Sequence, residues 1–97
     1  MRLLNCTLIN SSSVQIDHSS SIYLTDTSSN SVDFNLPVIP TDGVHYIIRN
    51  IDTVPTSNIT TLIAADGNTI ESTTSITVPT GSFIRIVAFG TNWYRIA

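Results

Sequence analysis

The stretch Val32-Asp33-Phe34-Asn35-Leu36 carries the clearest pattern in the chain and decides the fold class. Its apolar and polar residues alternate, which places the three apolar side chains on one face of a strand and the two polar ones on the other. The alternation predicts a β-strand with one face in a core and the other in water. Pro37 follows directly and has no N–H for a β-ladder, so we expect the strand to end there.

The composition favours strands along the rest of the chain. Among its 97 residues are 14 Thr, 14 Ile and 7 Val, which branch at Cβ and suit a pleated sheet. Lys is absent and Glu occurs once, so good helix formers are scarce. An all-helical fold is therefore excluded. With 41% hydrophobic and only 11% charged residues, the chain also lacks the signature of disorder.

Turn residues separate short apolar segments at intervals of roughly eight to twelve residues, the spacing typical of sandwiches and barrels. The segments amount to about nine strands. We predict a single all-β domain over residues 1–97. Its expected architecture is a small, mostly antiparallel β-sandwich or a jelly-roll-like barrel.

The segment from Phe83 to Phe89 is apolar on both of its faces. A sheet that is solvated on one side cannot hide both faces. We expect one face to meet the core and the other a neighbouring chain; the alternative is a central strand covered by a loop of its own chain. The predicted core face consists of Ile84, Ile86 and Ala88, and the predicted subunit interface consists of Phe83, Arg85, Val87 and Phe89.

Charge and cysteine content exclude several classes of function. The net charge is -3, and the four arginines are spread along the chain, so no basic cluster is available for nucleic acid. No apolar run is long enough for a transmembrane helix, and we predict no membrane insertion. Cys6 is the only cysteine, which rules out an intrachain disulfide. We expect Cys6 to be a buried small hydrophobe.

No catalytic constellation is present in the sequence. The two histidines, His18 and His45, are not accompanied by a nucleophile elbow of the Gly-x-Ser-x-Gly type. Asp17-His18 is a candidate metal-ligand pair together with its copy in a symmetry mate, but one such pair is a weak signal. Asp42-Gly43 and Asp66-Gly67 are typical of turns and lack the ligand run of a calcium loop. We predict a protein that is not an enzyme and needs no cofactor or metal.

From about Ile22 onward the chain resembles the small β-domains that end phage tail fibres and related virion proteins. The matching pieces are Ile22 to Thr27 with Val32 to Pro37, Asp42 to Asn50, Asn58 to Ile70, and the ending Gly90-Thr91-Asn92-Trp93-Tyr94-Arg95-Ile96. The ending, with its Gly-x-Asn-Trp pattern, is the most characteristic of them. Two features depart from the family: Glu71-Ser72 follows the Thr-Ile element, shortly after which members carry Gly, and the sequence given contains no fibre shaft. We therefore expect either a head domain excised from a fibre or a small free-standing virion protein.

The resemblance implies a virion structural protein: a tail-fibre head, a head fibre, or a capsid decoration or vertex protein. It implies a homotrimer with the apolar strand near the three-fold axis, and other virion proteins or a host receptor as partners. Residues 1–21 precede the matching region and are a candidate N-terminal arm or capsid contact. The alternative function is a carbohydrate-binding β-sandwich module that uses Trp93, Tyr94 and Tyr46 on a glycan, although a core position for Trp93 is the commoner role of such a residue.

Overall fold

The computed structural model describes residues 6–17, 21–39, 41–52 and 58–97. In these ranges the chain is all-β, with ten strands and no helix. The strands are β1 (Cys6–Ile9), β2 (Ser13–Gln15), β3 (Ile22–Thr25), β4 (Val32–Asn35), β5 (His45–Asn50), β6 (Thr60–Ile63), β7 (Thr69–Ile70), β8 (Ser75–Val78), β9 (Phe83–Phe89) and β10 (Asn92–Arg95).

The strands form two sheets that are packed face to face. The six-stranded sheet has the order β1-β3-β5-β9-β10-β7, and the four-stranded sheet has the order β2-β4-β6-β8. Up to β6, successive strands alternate between the two sheets, and each pairs in parallel with the strand two positions further along the chain. The first six strands therefore form three stacked turns of the chain, which we call coils, and each coil has one strand in each sheet. The coils are β1 with β2, β3 with β4, and β5 with β6.

The prediction of an all-β fold is confirmed, and the two mixed sheets are consistent with the predicted sandwich, but the mostly antiparallel pairing is wrong. Five of the eight strand pairs among the described residues are parallel. Antiparallel pairing is confined to β5 with β9, β9 with β10, and β6 with β8. A jelly roll is built from antiparallel strands, so the coiled arrangement departs from it. Periodicity reports which face of a strand is buried but does not report the direction of its neighbour.

The core lies between the inward faces of the two sheets. Tyr23 of the six-stranded sheet packs edge-on against Phe34 of the four-stranded sheet, with ring centroids 5.1 Å apart. Tyr46 and Trp93 extend this aromatic row across the six-stranded sheet. The alternation from Val32 to Leu36 is confirmed, because Val32, Phe34 and Leu36 are all buried.

A small polar cluster is buried between the sheets at the ends of β3, β5 and β6. The Thr25 and Thr60 hydroxyls, one from each sheet, are joined by a hydrogen bond of 2.6 Å. The Thr27 hydroxyl lies within hydrogen-bond distance of Asn50 Oδ1 and of the Asp52 carboxylate. Buried polar groups are tolerated when they are paired in this way, and here they tie the sheets together where the coil turns.

The tight turn after β7 has an unusual composition. Glu71 and Ser72 both have positive φ, at 48° and 65°, and the backbone groups of Ile70 and Thr73 bond to each other across them. This is the position where the resembling domains carry Gly. Positive φ at two consecutive residues matches a type I′ turn, which glycine would adopt at lower cost.

The first two described strands belong to different sheets. The described part of residues 1–21 contributes β1 to one sheet and β2 to the other, through pairing with β3 and β4. The expectation of a buried thiol is wrong, because Cys6 is exposed. It lies on the same face of β1 as Leu8, which points away from the core.

Candidate functional site

The outer face of the six-stranded sheet carries mostly apolar side chains. Strand register aligns them in rows, two of which run from β1 to β9 and a third from β5 to β10. One row runs Cys6, Ile22, Ile47, Arg85; the next runs Leu8, Leu24, Arg49, Phe83; a third runs His45, Val87, Tyr94. We call this surface, together with Phe89, the apolar face.

The apolar face is open to solvent in the described chain. Phe83 is 50% exposed, and Phe89, at the other end of the same strand, is 65% exposed. Leu8 and Tyr94 are also exposed. Single exposed apolar side chains are common, but a contiguous apolar surface across five strands is typical of an interaction site.

The outer face of the four-stranded sheet is polar at the equivalent positions. We call it the polar face. Its two rows run Ser13, Asp33, Thr61, Thr77 and Gln15, Asn35, Ile63, Ser75. The amide group of Asn35 donates to the Val14 carbonyl of the neighbouring coil at 3.1 Å, so part of this polarity holds the coils together.

All four residues of the predicted subunit interface lie on the apolar face, and Ile84, Ile86 and Ala88 on the other side of β9 are buried in the core. No described loop covers Phe83 or Phe89, and both side chains are exposed. The sequence prediction missed the contribution of neighbouring strands, which add Leu8, Ile22, Leu24 and Ile47. The signal was present in β5, a segment that is apolar on both faces, but the sheet order was needed to bring it beside β9.

Two arginines stand within the apolar face. Arg49 of β5 is opposite Phe83, and Arg85 of β9 is opposite Ile47, so the two guanidinium groups are diagonal neighbours on adjacent strands. Both residues are exposed. No carboxylate shares the rows of this face within the described strands. A partner seated on it would thus meet an apolar surface with two positive charges.

The three aromatic residues proposed for glycan contact do not form one platform. Trp93 and Tyr46 are buried in the core, with ring centroids 5.4 Å apart. Their burial corrects the expectation that they stack on a sugar. Trp93 occupies the core, which is the commoner position for such a residue. Tyr94 alone is exposed, on the opposite side of β10 from Trp93. The Trp93 indole N–H is buried without a hydrogen-bond partner among the described residues.

The remaining candidate residues have local structural roles or lie outside the description. The Asp42 carboxylate accepts a hydrogen bond of 2.8 Å from the Gly90 N–H, which ties the turn before β5 to the β9–β10 hairpin. His45 is exposed at the start of β5. His18 lies outside the described residues. Within the described ranges, no three His, Cys, Asp or Glu side chains are placed to hold a metal ion.

Two comparisons with known sequences find no match. No family model matches the chain, and no curated protein matches its sequence. The resemblance to phage fibre domains therefore remains a prediction from the residues that carry it. In the described part of the chain, no helix has the length and hydropathy needed to cross a membrane.

Proposed function

We propose that this protein is a non-enzymatic structural module that assembles with copies of itself through the apolar face. The observation that carries the proposal is the contrast between the two outer faces, since only one of them exposes a continuous apolar surface. Burial of such a surface is the dominant favourable term in most protein association. The polar face would remain in water.

The size of the apolar face supports a stable contact. Five strands spaced about 4.8 Å apart, with outward residues over about 20 Å of strand length, give a flat area of roughly 500 Å². This is comparable with the largest apolar patches of monomers and approaches the ~800 Å² that each partner buries in a standard interface. A chain of 97 residues also gains stability from association, because its own core is small.

The assembly that we propose is a homotrimer with β9 near the three-fold axis, as the resemblance to fibre domains implies. In the same proposal, the protein is part of a virion, as a tail-fibre head, head fibre or capsid decoration protein, and contacts other virion proteins or a host receptor. The polar face and the Ser/Thr-rich loops would form its outer surface. In this arrangement Arg85 lies on β9 close to its symmetry copies, so its long side chain would have to carry the guanidinium group out to the water at the rim of the contact.

Light scattering after size exclusion tests the self-association. We expect the wild type to elute as an oligomer whose mass is unchanged between low and high salt, because the contact is mainly apolar. Phe89→Asp should dissociate it, because a carboxylate buried against an apolar partner is strongly unfavourable.

Thr77→Asp is the matched control for this experiment. It places the same carboxylate on an exposed strand position of the polar face, so the oligomer should persist. A monomeric wild type, or an oligomer that persists in both variants, would contradict the proposal. Equal dissociation by both variants would show damage to the fold and not to one face.

A further inference from the structure

A second surface, separate from the apolar face, lies at the end of the coil. β1 and β2 are the outermost strands of the two sheets, and both belong to the first coil, so two sheet edges coincide at one end of the molecule. Beyond them no strand pairs in the described chain. We call this pair of strands the open edge.

Backbone groups of the open edge point outward. The Ile9 carbonyl accepts the Asp26 N–H, and the Ser12 carbonyl accepts the Asp33 N–H. The backbone groups of Ile9 and Ser12 therefore point along their sheets toward the neighbouring strands. Since alternate residues of a strand direct their N–H and C=O groups to opposite sides, those of Leu8, Ser13 and Gln15 are directed away from the molecule.

The core also stops short at this end. The inward side chains Thr7 and Val14 are only partly buried, whereas the residues aligned with them in the next coil, Tyr23 and Phe34, are fully buried. A further strand beside each edge would complete the burial of Thr7 and Val14.

The open edge lacks two of the features by which proteins protect a sheet edge. Its strands are short, with four residues in β1 and three in β2, but they contain no charged residue and no proline. The opposite edges are blunted: β7 has two residues and is followed by Glu71, and β8 is followed by Pro79. Short strands, charges and proline are the usual means of preventing edge-to-edge pairing.

We propose that the open edge pairs with the open edge of a second copy of this chain. A single peptide strand would satisfy only one of the two edges. A second copy presents two strands in two stacked sheets at the required separation, and a two-fold axis through the sheets sets β1 antiparallel to its copy and β2 antiparallel to its copy. With no charge in either strand, self-pairing brings no like charges together.

This contact is independent of the apolar face, and the two can operate together. A two-fold contact at the coil end would join two assemblies formed through the apolar face, which doubles the number of chains. A closed arrangement of this kind is the common outcome for homo-oligomers.

The test compares two double variants by light scattering after size exclusion. Cys6→Pro with Ser13→Pro introduces proline into both strands of the open edge and removes the outward N–H of Ser13, while the N–H groups that face β3 and β4 are retained. Cys6→Ala with Ser13→Ala changes the same side chains and keeps every N–H. We expect the proline pair to have half the mass of the alanine pair, both in the wild-type background and in the Phe89→Asp background, where association through the apolar face is removed.

Equal masses for the two pairs, or a wild type with an odd number of chains, would overturn the proposal. If the proline pair does not fold, amide exchange of the wild type decides instead. The N–H groups of Leu8, Ser13 and Gln15 should exchange at least about tenfold more slowly in concentrated than in dilute solution, because pairing protects them. Fast exchange of these three N–H groups at the highest concentration would exclude the contact, whatever the outcome for the apolar face.

Discussion

The apolar face and the polar face occupy equivalent positions on the two sheets but carry different residues. In the six-stranded sheet, neighbouring strands align Ile22 with Ile47 and Leu8 with Leu24. In the four-stranded sheet, the corresponding alignment joins Asp33 with Thr61 and Gln15 with Asn35. Both sheets bury their inner faces in one core. The fold thus requires one apolar face from each sheet, and the second apolar face of the six-stranded sheet is in excess of what folding needs.

This difference separates residues that hold the fold from residues that are available for contacts. Ile84, Ile86 and Ala88 alternate with Phe83, Arg85, Val87 and Phe89 along one strand, yet the first set is buried and the second lies outside. Substitutions on the inner side should therefore change stability, and those on the apolar face should change association.

Phe34 and Asp33 are adjacent in β4 and give the sharpest test, because one points into the core and the other belongs to the polar face. Phe34→Ala should lower the free energy of unfolding by about 3–5 kcal/mol, through lost burial and the cavity left beside Tyr23. Asp33→Ala should change it by less than about 0.5 kcal/mol. Urea denaturation followed by circular dichroism measures both, and a similar cost for the two would break the comparison.

Making the apolar face resemble the polar face should weaken association without unfolding the chain. Ile47→Thr with Val87→Thr keeps β-branched residues in β5 and β9 but removes apolar surface from the middle of the face. We expect a loss of about 2–3 kcal/mol of association free energy, roughly a 100-fold weaker contact, measured by sedimentation velocity. Ile63→Thr on the polar face is the control and should leave the association constant unchanged.

The pH dependence of stability tests the inner side of the six-stranded sheet, where Tyr46 is buried. Burial raises the pKa of its hydroxyl well above the ordinary value, and the nearby Tyr23 and Asp17 add to the shift. Because the folded state holds the proton more tightly than the unfolded state, stability is fully present below pH ~10 and falls as the pH rises further. The expected slope is about 1.4 kcal/mol per pH unit for this one proton.

Tyr46→Phe should reduce that slope, measured by denaturation at several pH values above about 9. Val87→Thr, which introduces no titrating group on the outer side of β9, should keep it. A slope that is unaffected by the loss of the Tyr46 hydroxyl would assign the alkaline sensitivity to another group.

The smallest expected effect concerns the turn that leads from β7 of one sheet to β8 of the other. Ser72→Gly should stabilise the protein by about 0.5–1 kcal/mol, because glycine adopts the positive φ at this position without steric cost. The melting temperature should rise by a few degrees, since about 1 kcal/mol corresponds to roughly 4–8 °C in a domain of this size.

Glu71→Gly is the comparison for this turn. It relieves the same kind of backbone strain but removes the carboxylate that accepts the Arg95 N–H. Its gain should be smaller than that of Ser72→Gly. A fall in melting temperature for Ser72→Gly would show that the Ser72 side chain stabilises the turn by more than its backbone conformation costs.

Much of the local structure is predictable from residue order. The alternation from Val32 to Leu36 predicts both the strand and its buried face, and the two-sided character of Phe83 to Phe89 predicts a core side and an outer side. Cys6 was misplaced because its neighbours do not reveal that it lies on the outward side of an edge strand. Trp93 and Tyr94 show the same limit: adjacent aromatic residues point to opposite sides of β10, and only the packing tells which is buried.

By itself, the sequence determined the secondary-structure class, the approximate positions of the strands and the side of each strand that seeks a core. These depend on side-chain branching and on a period of two, which are local properties. Tertiary structure decided that strands two positions apart pair in parallel, which stacks the first six strands as coils. That pairing places the outer residues of β1, β3 and β5 beside those of β9 and leaves β1 and β2 at one open edge. Strand order depends on contacts between distant segments, so neither the apolar face nor the open edge is visible in any one segment.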